Sequence, residues 1–388
     1  MNICFICPEY PPGPHGGVGT FTQILGRALV QRGHGIRVVG VYPEAYPGPE
    51  YEEDQGVRVW RLREPRHRLG WIWARYSLYR LIVGWIRRHG IDVVEAPDSR
   101  GWFAGWPPMR VPLVLRSHGS YTYFAHVLGK PVDRMTFRLE RWSLRRADAW
   151  TAVSHYAGSM TKRSSALVKD PDSILYNPVD APSVAPPFED RRGGQVVFTG
   201  TLTPKKGVME LLAAWPAVRA RCANAELHVL GKDGLTGGGE SMQAYLMRQL
   251  AAPLRATVQF HGHVERAELR QFLSSARVAV FPSLAEAMGL APVEAMAYGC
   301  PTVFTTRTCG PEIVRHGIDG LLVDPGEPGE IASAIVTLLQ NDPLARSLGE
   351  AGRRRATTAF ALEQVVPANE EFYSRAIRRF RNGTRAGG

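Results

Sequence analysis

The sequence predicts two doubly wound α/β domains, and three features of its patterning predict them. Short apolar runs alternate with amphipathic stretches through most of the chain, the pattern of parallel strands covered by helices. The alternation stops near Asn177 and restarts near Gln195. Between the two sets lies Asn177-Pro178-Val179-Asp180-Ala181-Pro182 through Ala185-Pro186-Pro187, a proline-rich stretch of the kind that joins domains.

Asn2 to Cys7 and Ile36 to Val41 read as the first two strands, with a helix from Thr20 to Gln31 between them. Val93 to Glu95, Leu113 to Ser117 and Ala149 to Val153 continue the series. The second set is Gln195 to Thr199, Glu226 to Leu230, Val258 to Phe260, Ala279 to Phe281, Pro301 to Phe304 and Leu321 to Val323, each followed by a turn or helix signal. The expected domains are residues 1–180 and 181–365, with 366–388 a C-terminal helix that packs back on the first domain and ends in a basic tail. Ligands of doubly wound sheets sit beyond the carboxyl ends of the strands. The expected site is therefore a central cleft faced by both domains.

At 388 residues, 44% hydrophobic and 21% charged, the chain is long enough for two cores and too apolar for disorder. Its 47 Lys+Arg against 36 Asp+Glu give a net charge of +11, which suits a phosphorylated ligand, an acidic membrane surface or nucleic acid. Only six of the cations are lysines, so the adjacent Lys205 and Lys206 stand out. Five cysteines without regular spacing argue against a disulfide framework and for a reducing compartment. Cys4 and Cys7 form a CxxC, but on a strand their odd offset sends them to opposite faces. The N-terminus lacks the basic start of a signal peptide, and no stretch approaches the ~18 apolar residues of a membrane span. The expected location is cytoplasmic.

Four groups carry candidate chemistry. Glu286 and Glu294 have seven residues between them, the first in a turn after a strand and the second inside the next helix. The N–H groups of Gly289, Leu290 and Ala291 open that helix and form an anion site between the two carboxylates, an arrangement suited to a sugar nucleotide. The loop Pro11 to Thr20, with Gly16 and Gly17, joins the first strand to its helix, where glycine permits close backbone approach to an anion. It lacks the third glycine of dinucleotide folds, which weakens a nicotinamide reading. Gly200 through Lys205, Lys206 and Gly207 form the equivalent turn of the second domain, with a lysine aimed at a phosphate. His118 stands at the carboxyl end of a first-domain strand, where it can bond a sugar hydroxyl or move a proton. Glu95, Asp98 and Arg100 end a neighbouring strand and are the candidates for the acceptor side. His261-Gly262-His263 has no carboxylate or cysteine at ligand spacing, and Asp170-Pro171-Asp172 reads as a plain turn, so no metal is expected.

In this order, the glycine loop PPGPHGGVGTF, His118-Gly119, Val153-Ser154, Asn177-Pro178-Val179-Asp180, Gly200 with Lys206-Gly207, EAMGLAPVEAMAYGCPTV and Gly310-Pro311-Glu312-Ile313-Val314 resemble the family 4 retaining glycosyltransferases. The resemblance runs over nearly the whole chain and implies a GT-B fold of two Rossmann-like domains. It also implies transfer of a sugar from a nucleoside diphosphate sugar to an acceptor hydroxyl with retention, without a metal or other cofactor. Gly16 and Gly17 would lie against the donor diphosphate, Lys206 would neutralise it with help from Lys205 and Gly200, and His118 would contact the transferred sugar. Glu286 would hold sugar hydroxyls, Glu294 the ribose, the backbone of Gly289, Leu290 and Ala291 the distal phosphate, and Gly231, His263 and Val264 the nucleobase side. Thr201 departs from the pattern, since many members carry an arginine there.

The expected acceptor is a sugar, glycolipid or small molecule, in cell-surface polysaccharide or glycolipid synthesis. The alternatives are a glycosyltransferase of natural-product or sugar-metabolite synthesis, a relative that hydrolyses or epimerises sugar nucleotides, and, from a different class, a basic nucleic-acid-binding protein. Residues 66–88 mix arginines with aromatics and place Trp71, Leu78, Leu81, Ile82 and Trp85 on one helical face. That face either rests on an anionic membrane surface, making the protein peripheral at the inner face of the membrane, or packs on the first sheet. Without a nucleic-acid recognition motif, no nucleic-acid partner is expected.

Overall fold

The computed structural model describes residues 1–13 and 15–386. It consists of two compact units, one of Met1–Pro178 together with the chain from Leu362, the other of Val179–Ala361. Pro14 of the glycine loop and the last two residues of the basic tail lie outside the described residues.

The first unit runs β1 (Asn2–Ile6), α1 (Gly17–Gln31), β2 (Gly35–Pro43), β3 (Tyr51–Asp54), β4 (Val57–Glu64), α2 (Gly70–Arg87), β5 (Val93–Pro97), β6 (Leu113–Ser117), α3 (Tyr121–Val127), α4 (Arg134–Arg146), β7 (Ala149–Ala152), α5 (His155–Ser164) and β8 (Ser173–Ile174). Its sheet has the order β3-β4-β2-β1-β5-β6-β7-β8 and is parallel except for the β3–β4 pair. That pair is a hairpin absent from the sequence expectation. Gln55 and Gly56 both take positive φ, 51° and 86°, which is what a two-residue turn between twisted strands demands. The helix starts are set by side chains: Ser120 Oγ accepts from Tyr123 N–H, Asp133 from Thr136 N–H and Ser154 Oγ from Ala157 N–H.

The second unit runs β9 (Arg192–Thr199), α6 (Val208–Arg221), β10 (Glu226–Leu230), α7 (Met242–Gln249), α8 (Ala252–Arg255), β11 (Val258–Gly262), α9 (Arg266–Ser275), β12 (Ala276–Phe281), α10 (Leu290–Ala297), β13 (Thr302–Thr305), α11 (Gly310–Ile313), β14 (Leu321–Val323), α12 (Pro328–Gln340) and α13 (Asp342–Ala359). Its sheet is wholly parallel, in the order β11-β10-β9-β12-β13-β14. The uniformly buried run of β12 is typical of a strand covered on both faces.

The last helix, α14 (Leu362–Ala386), belongs to the first unit. Phe372, Tyr373 and Ile377 enter the core with Phe5, Phe21 and Leu25. A buried polar network fixes its register. Arg116 Nε donates to Glu95 Oε1 at 2.8 Å, Arg116 Nη2 donates to Asn369 Oδ1 at 2.6 Å, and Tyr373 Oη donates to Glu95 Oε2 at 2.8 Å.

α2 packs Ala74, Leu78, Ile82, Trp85 and Ile86 inward. The expected face is thus corrected at one end: Trp71, in the first turn, stays outside with Ile72 and Trp73. All five cysteines are free and buried, and burial pushes the Cys4 and Cys7 thiols up to about 12. Among the described residues no helix is long and apolar enough to cross a membrane.

Candidate functional site

In the second unit the functional side chains gather at the carboxyl ends of four adjacent strands. Gly200 follows β9, Gly231 follows β10, His263 follows β11, and the turn carrying Glu286 follows β12. The backbones pack too closely for any side chain at two of the glycines. A Cβ on Gly231, at φ 150°, would lie 1.9 Å from the Gly200 carbonyl oxygen, and one on Gly207, at φ 72°, would lie 1.7 Å from that of Pro282. The lysine turn is therefore locked to the loop after β12. Lys205 contributes its carbonyl to the same lock, accepting from Leu284 N–H at 2.9 Å and Ala285 N–H at 3.2 Å.

This lock brings Lys206 and Glu286 together. Lys206 Nζ lies 2.5 Å from Glu286 Oε1, to which Ser283 Oγ also donates at 3.1 Å. Glu286 is 7% exposed, so the pair is largely withdrawn from solvent and its charges are weakly screened. Nearby, Gly289 caps α10 in the left-handed region at φ 77°, and the N–H groups of Leu290 and Ala291 open the helix. Glu294 stands one turn further in. Burial raises its carboxyl above the ordinary range, partly opposed by Arg266, whose Nη2 is 4.0 Å from Glu294 Oε1. The structure thus gathers Gly200, Lys205, Lys206, Gly231, Glu286, Gly289, Leu290, Ala291 and Glu294 at one end of one sheet. His263 is exposed and Val264 half-buried just past β11.

The His261 ring stacks on His228, Nε2 to Nδ1 at 3.0 Å. Asp170 and Asp172 sit in ion pairs with Lys162 and Lys169. Among the described residues no three His, Cys, Asp or Glu side chains converge as they would around a metal ion.

In the first unit, His118 follows β6 and packs on Phe21 of α1, ring centroids 4.8 Å apart. Burial, with the neighbouring Arg116, lowers its pKa well below the usual histidine value, so it stands neutral at physiological pH. Phe21 lies in the second turn of the helix that Gly17 begins, so the glycine loop and His118 are neighbours through that ring. One N–H of this helix start is already taken: Glu9 Oε1 accepts from Gly19 N–H at 2.9 Å.

The acceptor-side expectation is corrected for two of three residues. Glu95 faces inward, its two oxygens bound by Arg116, and Asp98 is fully buried. Only Arg100 presents its side chain outward, from a left-handed backbone at φ 63°. Sequence reasoning missed Ser283, Arg266 and Glu9. Ser283 and Glu9 sit in the turns that directly follow β12 and β1, which was the available signal; Arg266 opens α9 and carried none.

Residues 15–182 match the family described as Glycosyltransferase Family 4, and residues 193–341 match Glycosyl transferases group 1. The glycogen synthase of Mycobacterium tuberculosis is 28% identical over 413 residues, spanning 97% of this chain and 95% of that protein. A sucrose-phosphate synthase from Thermosynechococcus elongatus superposes with a TM-score of 0.80 at 22% identity, covering 97% of this chain and 99% of the other. Anabaena HepE, crystallised with UDP and glucose, superposes with a TM-score of 0.72 at 20% identity, covering 96% and 99%. Fold and site together define a GT-B enzyme that uses a nucleotide sugar. The chain belongs to the family 4 glycosyltransferases, group 1.

Proposed function

We propose that the protein transfers a sugar from a nucleoside diphosphate sugar to an acceptor hydroxyl with retention of configuration, in the synthesis of a cell-surface polysaccharide or glycolipid. The observation that carries this reading is the Lys206–Glu286 pair beside the α10 N-terminus. Lys206 and the N–H groups of Gly289 to Ala291 neutralise the leaving diphosphate, the task a divalent cation performs elsewhere, so no metal or other cofactor is required. Glu286 accepts from sugar hydroxyls, Glu294 from ribose hydroxyls, and neutral His118 bonds the transferred sugar. Retention follows from attack on the donor's leaving face, with the diphosphate taking the acceptor proton.

The test screens UDP-glucose, UDP-N-acetylglucosamine and GDP-mannose for turnover, before and after dialysis against EDTA. An α product from one α donor, at an EDTA-resistant rate, is the expected result. A β product rejects retention. Free sugar released at the same rate with every acceptor offered favours a hydrolase.

The same reading includes a peripheral position on an anionic membrane. Large apolar side chains are exposed over the start of α2, where Leu69, Trp71, Ile72 and Trp73 stand out, Trp73 at 57%. Exposed arginines at 66, 68 and 80 surround them. The outer face of α4 repeats the mixture with Arg134, Met135, Arg138, Trp142 and Arg145, Trp142 at 54% exposure. Both helices pack on the segment 99–106: Tyr79 stacks edge-on against Trp106 at 5.4 Å, and Trp142 borders Gly105. Aromatics flanked by arginines suit an interface of acyl chains under anionic headgroups. Flotation with phosphatidylglycerol vesicles should carry the protein upward, and W73A/W142A should remain below. Wild-type protein that stays below at low salt removes the membrane from the proposal.

A further inference from the structure

Two buried carboxylates grip the loop that carries His118, one at each end. Asp98 Oδ1 accepts from His118 N–H at 3.0 Å and Oδ2 accepts from Ser117 Oγ–H at 2.9 Å. Ser117 Oγ is linked in turn to Thr161 Oγ1 of α5 at 2.6 Å. On the far side of Gly119 and Ser120, Glu140 of α4 accepts from Tyr121 N–H at 3.2 Å and from Thr122 N–H at 3.0 Å. The same carboxylate accepts from Arg100 N–H at 3.2 Å, in the left-handed turn that follows Asp98. Both acids have 0% exposure.

An ordinary fold has no need of this. Burying one carboxylate costs several kcal/mol unless hydrogen bonds repay it, and burying two within range of each other adds repulsion. Here the donors named above lie at the two ends of the His118 loop or in the turn bracing it. The loop itself is bent at Gly119, at φ 92°, where a Cβ would strike the Phe124 ring at 2.8 Å. Held at 117–118 and at 121–122, its two central residues, Gly119 and Ser120, have little freedom, and the imidazole is steadied on Phe21.

We propose that Asp98 and Glu140 are positioning residues for His118, a carboxylate clamp that sets the height and angle of the imidazole presented to the sugar. This rests on the reading of His118 given above. The clamp is proton-linked. Burial, then the Glu140 charge, raise Asp98 to about 7, so its charge changes near neutral pH. Titratable groups on the elements around Asp98 include Glu95 of β5, Arg116 of β6, His118 just past that strand, Arg100 of the turn, Arg75 of α2, Arg141 of α4, and His155, Lys162 and Arg163 of α5. Arg116 is bound by Glu95, and Arg75 donates to the carbonyls of Arg100 and Gly101. Protonation of Asp98 removes the charge that strengthens the bond to His118 N–H, so turnover falls as pH drops through 7.

The experiment measures kcat and donor KM from pH 5.5 to 9 for wild type, D98N, D98A and H118A. It uses whichever of UDP-glucose, UDP-N-acetylglucosamine or GDP-mannose turns over, and thermal melts accompany it. Asparagine keeps both hydrogen-bond partners but fixes the neutral state. D98N should therefore be flat across pH at the wild-type low-pH kcat, with donor KM within twofold. D98A should lose tenfold or more in kcat. A D98N profile that keeps the wild-type acid limb overturns the proposal, even if D98A fails to fold. So does a D98A kcat within twofold of wild type when H118A is inactive. An H118A enzyme with wild-type kcat fails the reading of His118 instead, and the two failures are thereby told apart.

Discussion

Lys206 and Glu286 come from turns eighty residues apart in sequence and meet in one ion pair, Nζ to Oε1 at 2.5 Å. The contact holds because Gly207 lets the lysine turn close on Pro282 and because Lys205 accepts two N–H groups from the loop beyond it. The carboxylate also gathers the ammonium into the place where the diphosphate is proposed to sit. Donor binding then replaces one anion by another around the same cation.

Lys206→Ala should raise donor KM or lower kcat by tenfold or more, since a charged contact contributes ~1.5–3 kcal/mol. Lys206→Arg should recover only part of this, because a planar fork does not replace a point charge in this turn. Steady-state kinetics on the donor from the nucleotide screen decides it, and unchanged parameters for K206A remove Lys206 from the machinery.

Gly207→Ala tests the lock itself. A methyl group 1.7 Å from the Pro282 carbonyl, at φ 72°, cannot be accommodated without moving one turn away from the other. The expected outcome is a drop in kcat/KM comparable to that of K206A, with the second unit still folded by near-UV circular dichroism. Wild-type kcat/KM in G207A would mean that the register between the turns is irrelevant to turnover.

The sheets and the strand-end turns were legible because parallel strands buried on both faces write continuous apolar runs, as in β12, and because glycine marks each close approach. Glu286 and Glu294 were readable from their place around a helix start. What escaped was tertiary. The β3–β4 hairpin has an exposed acidic first strand, and its turn is Gln-Gly rather than Asn-Gly, so neither apolar pattern nor turn chemistry announced it. Glu95 and Asp98 looked like acceptor-side groups because acids at strand ends usually face a ligand. Only packing reveals that Arg116 of the adjacent strand and Tyr373 of α14 close over Glu95, and that Asp98 turns inward to the His118 N–H and the Ser117 hydroxyl. Trp71 obeys the helical period of its face, yet lies too early in α2 to be covered.

Glu294 should give donor affinity a pH dependence of defined sign. Burial, opposed by Arg266, raises its folded pKa, so as pH falls it protonates before an ordinary glutamate does. Ribose hydroxyls donate best to the carboxylate, so affinity for UDP or GDP should weaken with falling pH. Calorimetric titration of wild type against E294Q, which shares the nucleotide's own ionisation, isolates the term. Parallel curves for the two proteins would deny Glu294 contact with the nucleotide. The same raised pKa means that stability is lost as pH rises through the interval from the unfolded to the folded value, and E294Q should lack that loss.

The Glu95–Arg116–Tyr373 network should dominate the stability of the first unit. Arg116 has 0% side-chain exposure and Glu95 4%, so removing one partner strands the other in a medium that solvates it poorly. Arg116→Met should cost ~3–5 kcal/mol, whereas the double replacement R116M/E95L should recover much of it by leaving no buried charge. Tyr373→Phe removes one hydrogen bond to each partner and should cost ~1–3 kcal/mol. Urea unfolding followed by tryptophan fluorescence measures all three. If R116M and the double variant unfold at the same urea concentration, the cost lies in lost packing around α14 and not in a stranded carboxylate.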